Sequence, residues 1–143
     1  MPTVRLNDRE GEMAELFSAD WMQGFMARWN ADPDLAGALA ETGFSSVIGY
    51  GFDGEAEPRG VLKVEGGRGV AAGSYAGENL NWDLRASAEQ WAKWMKRAPG
   101  MMSLGMAYNS GKLKFQVGDY AAMIKDPYMA GPFIKSFSAM SRV

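Results

Sequence analysis

A chain of 143 residues, 47% hydrophobic and 12% aromatic, has the size and the apolar material for one globular domain around one core. Its formal net charge of −2 and pI near 5.2 argue against the clustered basic footprint of a nucleic-acid binder. With no histidine and no cysteine it has no disulfide framework, no Ser-His-Asp triad, no Cys-His pair and no zinc site of the usual N/S type.

Residues 1–16 are polar and lack clear periodicity, so they read as a lead-in to a single domain over 17–143. No apolar h-region follows Met1 and no run approaches the ~20 apolar residues of a membrane span. The expectation is therefore a soluble, cytoplasmic protein. Ser18 has the character of a helix N-cap, with Asp20 in the first turn. Phe17 before it and Met22 behind it are spaced as a hydrophobic staple. Trp21, Met22, Phe25, Met26 and Trp29 then form one broad apolar face. In "DPDLAGALAETG", Asp32 caps a second short helix, Pro33 takes its first position and Gly43 ends it. The small residues Ala36, Gly37 and Ala40 permit close packing there.

After Gly43 the period drops to two. Phe44, Ser46, Ile48, Tyr50 and Phe52 alternate as in a strand, and Asp53-Gly54 marks a turn. Leu62 and Val64 alternate with Lys63 and Glu65. "EGGRG" makes the next turn, and a weak strand covers about Val70 to Tyr75. Leu80, Trp82 and Leu84 alternate with Asn81, Asp83 and Arg85, which predicts a half-buried strand with a solvated outer face. Ser87 and Gln90 match a capping box. The helix behind them turns Trp91, Ala92, Trp94 and Met95 inward or half inward, and Pro99-Gly100 ends it. Leu113, Phe115 and Val117 alternate in a last strand. Asp119 opens a short helix with Met123 and Ile124, Asp126-Pro127 breaks it, and Phe133, Ile134, Phe137 and Met140 mark a final amphipathic helix. The predicted order is two helices, four strands, one helix, one strand and terminal helices: an α+β layer of hairpin-linked strands with helices on one face.

Motifs of known chemistry fail on their context. Asp53, Glu55 and Glu57 stand at calcium-loop positions one, three and five, but the sixth and twelfth positions are Pro58 and Val64 instead of Gly and Glu. Gly49, Gly51 and Gly54 have G-x-G-x-x-G spacing, but charges, a proline and another strand follow where a dinucleotide site needs a helix. Gly67 and Gly69 repeat the spacing only in part. Asp53 and Tyr50 suggest a proton-transfer pair, yet fall on opposite faces if the strand persists. Lys93, Lys96, Arg97, Lys112 and Lys114 read as solvated faces.

The composition has one oddity: methionine occurs 11 times and leucine nine, although leucine is normally among the commonest residues. Met101, Met102, Leu104 and Met106 fall within six positions. Each apolar residue taken singly reads as core. Taken together, flexible and polarisable methionine suits a surface that accepts variable apolar partners, whereas a rigid core leans on Leu, Ile and Val.

The helices, the meander, "NLNWDLRASAEQWAKWM" and "GKLKFQVGDYAAMIK" resemble the sterol carrier protein type 2 family. The corresponding parts are Trp82–Leu84, Ser87–Met95, Met101–Tyr108, Gly111–Phe115 and Gly118–Ile124, within a likeness over about residues 17–125. The tail departs from it: "SRV" is not the peroxisomal S-K-L signal. The resemblance implies a five-stranded, mostly antiparallel sheet covered by helices around an apolar tunnel. It implies non-catalytic binding of a sterol, fatty acid, acyl-CoA or phospholipid, with no cofactor. By position it places Trp91, Trp94 and Met95 beside the tunnel, Met101, Met102, Leu104 and Met106 in a flexible wall, and Met123, Phe133 and Phe137 at one end. Transient membrane contact and a homodimer accompany this expectation. Two alternatives stand beside it: an interaction or dimerisation domain using the C-terminal apolar helix, and a cofactor-free isomerase or cyclase of lipid or polyketide metabolism with a carboxylate or Tyr in the pocket.

Overall fold

In the computed structural model, which describes residues 15–143, Ser18 caps the first described helix as its sequence requires. This helix, α1 (Ala19–Ala31), starts where the Ser18 hydroxyl accepts from the Trp21 N–H at 3.2 Å. Phe17 and Met22, the staple pair, are both fully buried. The lead-in expected over 1–16 lies, but for its last two residues, outside the described residues. Asp32 caps the next segment through the Asp34 N–H at 2.9 Å. That segment is a π-helical turn, Pro33–Gly37, which passes directly into the single α-helical turn α2 (Ala38–Glu41).

The five strands are β1 (Ser46–Phe52), β2 (Gly60–Glu65), β3 (Arg68–Ser74), β4 (Trp82–Ala86) and β5 (Lys114–Val117), in the spatial order β3-β2-β1-β4-β5. The pairs β1/β2, β2/β3 and β4/β5 are antiparallel, and β1/β4 is parallel. The sheet is thus mixed and mostly antiparallel, as expected. Helices α3 (Ala88–Lys96), α4 (Met101–Asn109), α5 (Tyr120–Lys125) and α6 (Ala130–Ser141) complete the chain. Ser87 and Asp119 cap α3 and α5 through their side chains.

One sheet face carries Ile48, Tyr50, Leu62, Val64 and Leu84 into the core, against Trp21, Phe25 and Trp29 of α1 and Phe137 and Met140 of α6. The turn after β2 seals one end of this layer. Gly67 has φ +85°, and a Cβ there would strike the Ala40 backbone nitrogen and approach the Ala36 oxygen at 2.7 Å. The small residues of the second helical segment serve this contact. The Trp29 indole N–H donates to the Gly67 carbonyl at 2.9 Å, and the Asn30 amide bonds both the N–H and the C=O of Gly69.

The structure corrects the sequence reading at three places. First, "MMSLGMAYN" is a helix, α4, an element absent from the order predicted above. Second, Ala92 is exposed rather than inward. Third, β4 has no solvated outer face. Asp83 and Arg85 are 4% and 2% exposed, and the Arg85 Nε donates to Asp83 Oδ1 at 2.7 Å. The cause is the 53–59 loop, which folds back over the second sheet face with Pro58 buried beneath it. Arg85 Nη1 donates to the Glu55 carbonyl at 2.7 Å and so ties the loop down. This packing also explains the glycine motif. Gly49 and Gly51 sit opposite Asp83 and Arg85 in the β1/β4 register. A Cβ on Gly51 would lie 2.8 Å from the Pro58 Cα and 3.2 Å from the Arg85 Nε. The glycines make room for a loop and a guanidinium, not for a pyrophosphate.

Candidate functional site

The inward-facing residues of β1 and β4 do not pack fully against the helices above them. Ile48, Tyr50, Trp82 and Leu84 form the floor of an apolar cavity of about 40 Å³. Met123 of α5, Met129 before α6, and Pro132 and Phe133 of α6 form its roof. Trp29, Leu39 and Phe44 close its side, and Ser136 contributes a hydroxyl. No charged side chain lines it. The Ser136 hydroxyl is engaged by the Phe133 carbonyl.

Part of the roof is held on a short element and the turn that follows it. Helix α5 has six residues, and Asp126 separates it from α6 by accepting the Tyr128 N–H at 2.9 Å. Phe133 is half-buried and joins Phe115, Tyr120 and Phe137 in one aromatic row at centroid distances of 5.3–6.2 Å. The row continues through Phe137, which stacks on Trp91 at 6.0 Å and meets Trp94 edge-on at 5.5 Å. The Trp91 indole N–H donates to the Gly51 carbonyl at 2.9 Å and fixes the ring in the core.

Of the residues singled out from the sequence, Met123 and Phe133 reach the cavity itself. Phe137, Trp91 and Trp94 lie in the aromatic row that continues from Phe133. Leu104 is buried, and Met95 lies in a separate surface hollow with Trp21, Phe52 and Met140. Met101, Met102 and Met106 are 51%, 80% and 67% exposed. They stand on the outer face of α4, outside the cavity wall, so the structure forms no flexible wall from them. Sequence reasoning missed the floor and the side of the cavity. The alternation of Ile48 with Tyr50 and of Trp82 with Leu84 marks an inward face, but it carries no sign of where the covering layer falls short.

The ionisable side chain of the wall is Tyr50. Its ring packs against Phe17 and Phe25, and burial pushes the phenol above its ordinary value of 10.0. Its hydroxyl donates to no described residue. Neutral phenol is therefore the folded form, and the folded pKa exceeds the unfolded one. The associated stability is full below about pH 10 and is lost as pH rises towards the folded pKa. A spectrophotometric titration of the five tyrosines is expected to show Tyr50 silent well above its ordinary pKa until the chain unfolds. Tyr50→Phe is expected to weaken the alkaline loss of stability. Ionisation of all five near pH 10 with an intact near-ultraviolet dichroism spectrum would place Tyr50 in contact with water instead.

The suspected proton-transfer pair is not assembled. Asp53 lies on the surface with the Lys114 ammonium at 3.1 Å, while Tyr50 points into the core. Glu55 is likewise engaged, by the Arg59 guanidinium at 2.7 Å, which with its hydrogen bond holds the carboxyl below the usual range. Among the described residues no group of three or more acidic side chains is placed to hold a metal, and no helix is long and apolar enough to cross a membrane.

No protein-family model and no curated protein matches the chain. Solved structures do. A structure of sterol carrier protein 2 is similar to it over 90% of this chain and 99% of its own, at a TM-score of 0.67 and 21% identity. A conserved protein of Thermus thermophilus, described as a candidate sterol carrier protein, is similar over 90% of this chain and 86% of its own, at 0.60 and 17%. A UbiJ-SCP2 ubiquinone synthesis protein is similar over 83% and 86%, at 0.50 and 17%. At such identities the likeness is one of fold: the chain has the sterol carrier protein 2 fold.

Proposed function

We propose that the protein binds an elongated apolar ligand, a lipid, between the sheet and the helices α5 and α6, and carries it without chemical change. One observation carries this reading: a cavity walled by apolar side chains and no charge, roofed by Met123 on the six-residue α5, Met129 in the turn before α6 and Phe133 near the start of α6. A volume of about 40 Å³ has room for about one water, whereas ligand sites run to roughly 300–1,000 Å³. Uptake therefore requires the roof to move. Met123 and Met129 suit that movement, since a thioether chain repacks among several rotamers at little cost. The elements that move in binding are drawn from the less stable parts of a fold, and a six-residue helix between two loops is such a part. The sterol carrier fold of the similar structures supports the same reading.

The ligand's buried portion is uncharged on this account. An ionised group in the cavity would face no partner, and burying an unpaired charge is prohibitive. The alternative of a cofactor-free isomerase finds less support, because the wall's ionisable group is a phenol held neutral. The alternative of a dimerisation domain built on the C-terminal helix also finds less support. Phe137, Ala139 and Met140 of α6 are already buried in the chain's own core.

Native mass spectrometry of freshly purified protein, followed by solvent extraction, tests the proposal. The expected result is a bound species of defined mass that partitions into the organic phase. A chain that remains at its apo mass after incubation with long-chain alcohols, methyl esters and sterols would count against a carrier.

A further inference from the structure

Helix α4 presents its apolar side chains away from the core. Leu104 and Ala107 face inward, while Met102 and Met106 share one outer stripe with Asn109, and Met101 stands beside it. The shallow hollow between α3 and α4 adjoins this stripe through Met106. It is lined by Lys93, Arg97 and Lys112 and by no carboxylate, in a chain whose net charge is −2. All three cations are exposed, and none pairs with a described acidic residue.

We propose that α4 and these three cations form a docking surface for an anionic lipid bilayer. The methionines enter the boundary of the acyl chains, and the cations meet the headgroups. Large apolar side chains on one helix face with Lys and Arg beside them are the pattern of an interfacial helix. Methionine adds side chains that conform to a mobile lipid surface. Charge decides between this occupant and a second copy of the chain. A two-fold contact sets the same patch against itself, so it would bring two clusters of three cations together with no carboxylate between them. A bilayer of anionic lipids offers the complementary sign. The surface lies outside the cavity, so it is testable in protein that holds no ligand.

The test is flotation of the full chain with phosphatidylcholine vesicles, with and without phosphatidylglycerol. The wild-type chain is expected to float with the anionic vesicles, and less so as salt is added. Met102→Asp with Met106→Asp should abolish flotation. Arg97→Gln with Lys112→Gln should lower partitioning about 30-fold. All four side chains are exposed, so both double variants should melt with the wild type. The proposal is overturned if the wild type fails to float with anionic vesicles, or if the methionine variant floats as well as the wild type. A wild-type dimer in sedimentation that becomes monomeric in the methionine variant, without vesicle binding, would assign the patch to a second copy.

Discussion

Asp83→Ala is expected to destabilise the protein by about 3–5 kcal/mol, because it leaves the Arg85 guanidinium buried without its carboxylate. The pair is 2% and 6% exposed at the side chains and bidentate, with Nε to Oδ1 at 2.7 Å and Nη2 to Oδ2 at 3.0 Å. The other carboxylate that Arg85 influences, Glu55, is partly exposed and already bound by the Arg59 guanidinium, so it does not replace Asp83. The other partners of Arg85 are the Phe52 and Glu55 carbonyls. For a domain of this size the loss corresponds to a fall in Tm of about 10–20 °C. Replacing Asp83 and Arg85 together by leucine should recover much of it, since exchanging a whole buried pair for apolar groups is often neutral or better. Recovery should be incomplete, because Arg85 also fastens the 53–59 loop. Thermal melts of the three proteins check this. A fall of under about 1 kcal/mol for Asp83→Ala would mean that water reaches the pair, and that the loop is not the cover described above.

Ile48→Phe is expected to reduce uptake of a pyrene-labelled long-chain alcohol at least ten-fold, a loss of about 1.4 kcal/mol or more. Ile48 lies in the cavity floor at the centre of β1, between Leu62 of β2 and Trp82 of β4. A ring at this position fills the space from which the roof would have to lift. The stability cost of overpacking is about 1–3 kcal/mol, small enough to leave a folded protein. Met102→Asp is the control. Met102 is 80% exposed and outside the cavity, so it should leave uptake from solution unchanged. Fluorescence titration of the two variants separates the possibilities. Undiminished uptake by Ile48→Phe, in a protein with wild-type dichroism, would move the ligand away from the sheet face.

Much of the architecture is legible as local pattern. Ser18, Asp32, Ser87 and Asp119 each announce a helix start, because a short polar side chain satisfies N–H groups that the first turn leaves open. The alternation in β1, β2 and β4 marks the inward face at Ile48, Tyr50, Leu62, Val64 and Leu84, all of them buried. Helix α4 escapes this reading for a physical reason. Its methionines are on the outside, so its apolar residues do not follow the 3.6-residue period of a core helix. The methionine excess points to adaptable surfaces without saying where they are. Met123 and Met129 of the cavity roof are separated by five residues of helix end and loop, while the dense cluster at 101–106 points outward.

What the sequence by itself determined was therefore most of the elements, their capped starts, the inward faces of the strands and, through its resemblance to the sterol carrier protein type 2 family, the fold. Tertiary structure alone decided what each face meets. Asp83 and Arg85 alternate with apolar residues as any solvated strand face does, yet a loop 30 positions upstream in sequence covers them. Ile48 and Leu84 read as ordinary core, yet the helices above them stop short and leave a cavity. Periodicity is a property of a few neighbouring residues. Whether a face meets water, its own loop or an empty space depends on segments dozens of positions away, and local spacing carries no trace of them.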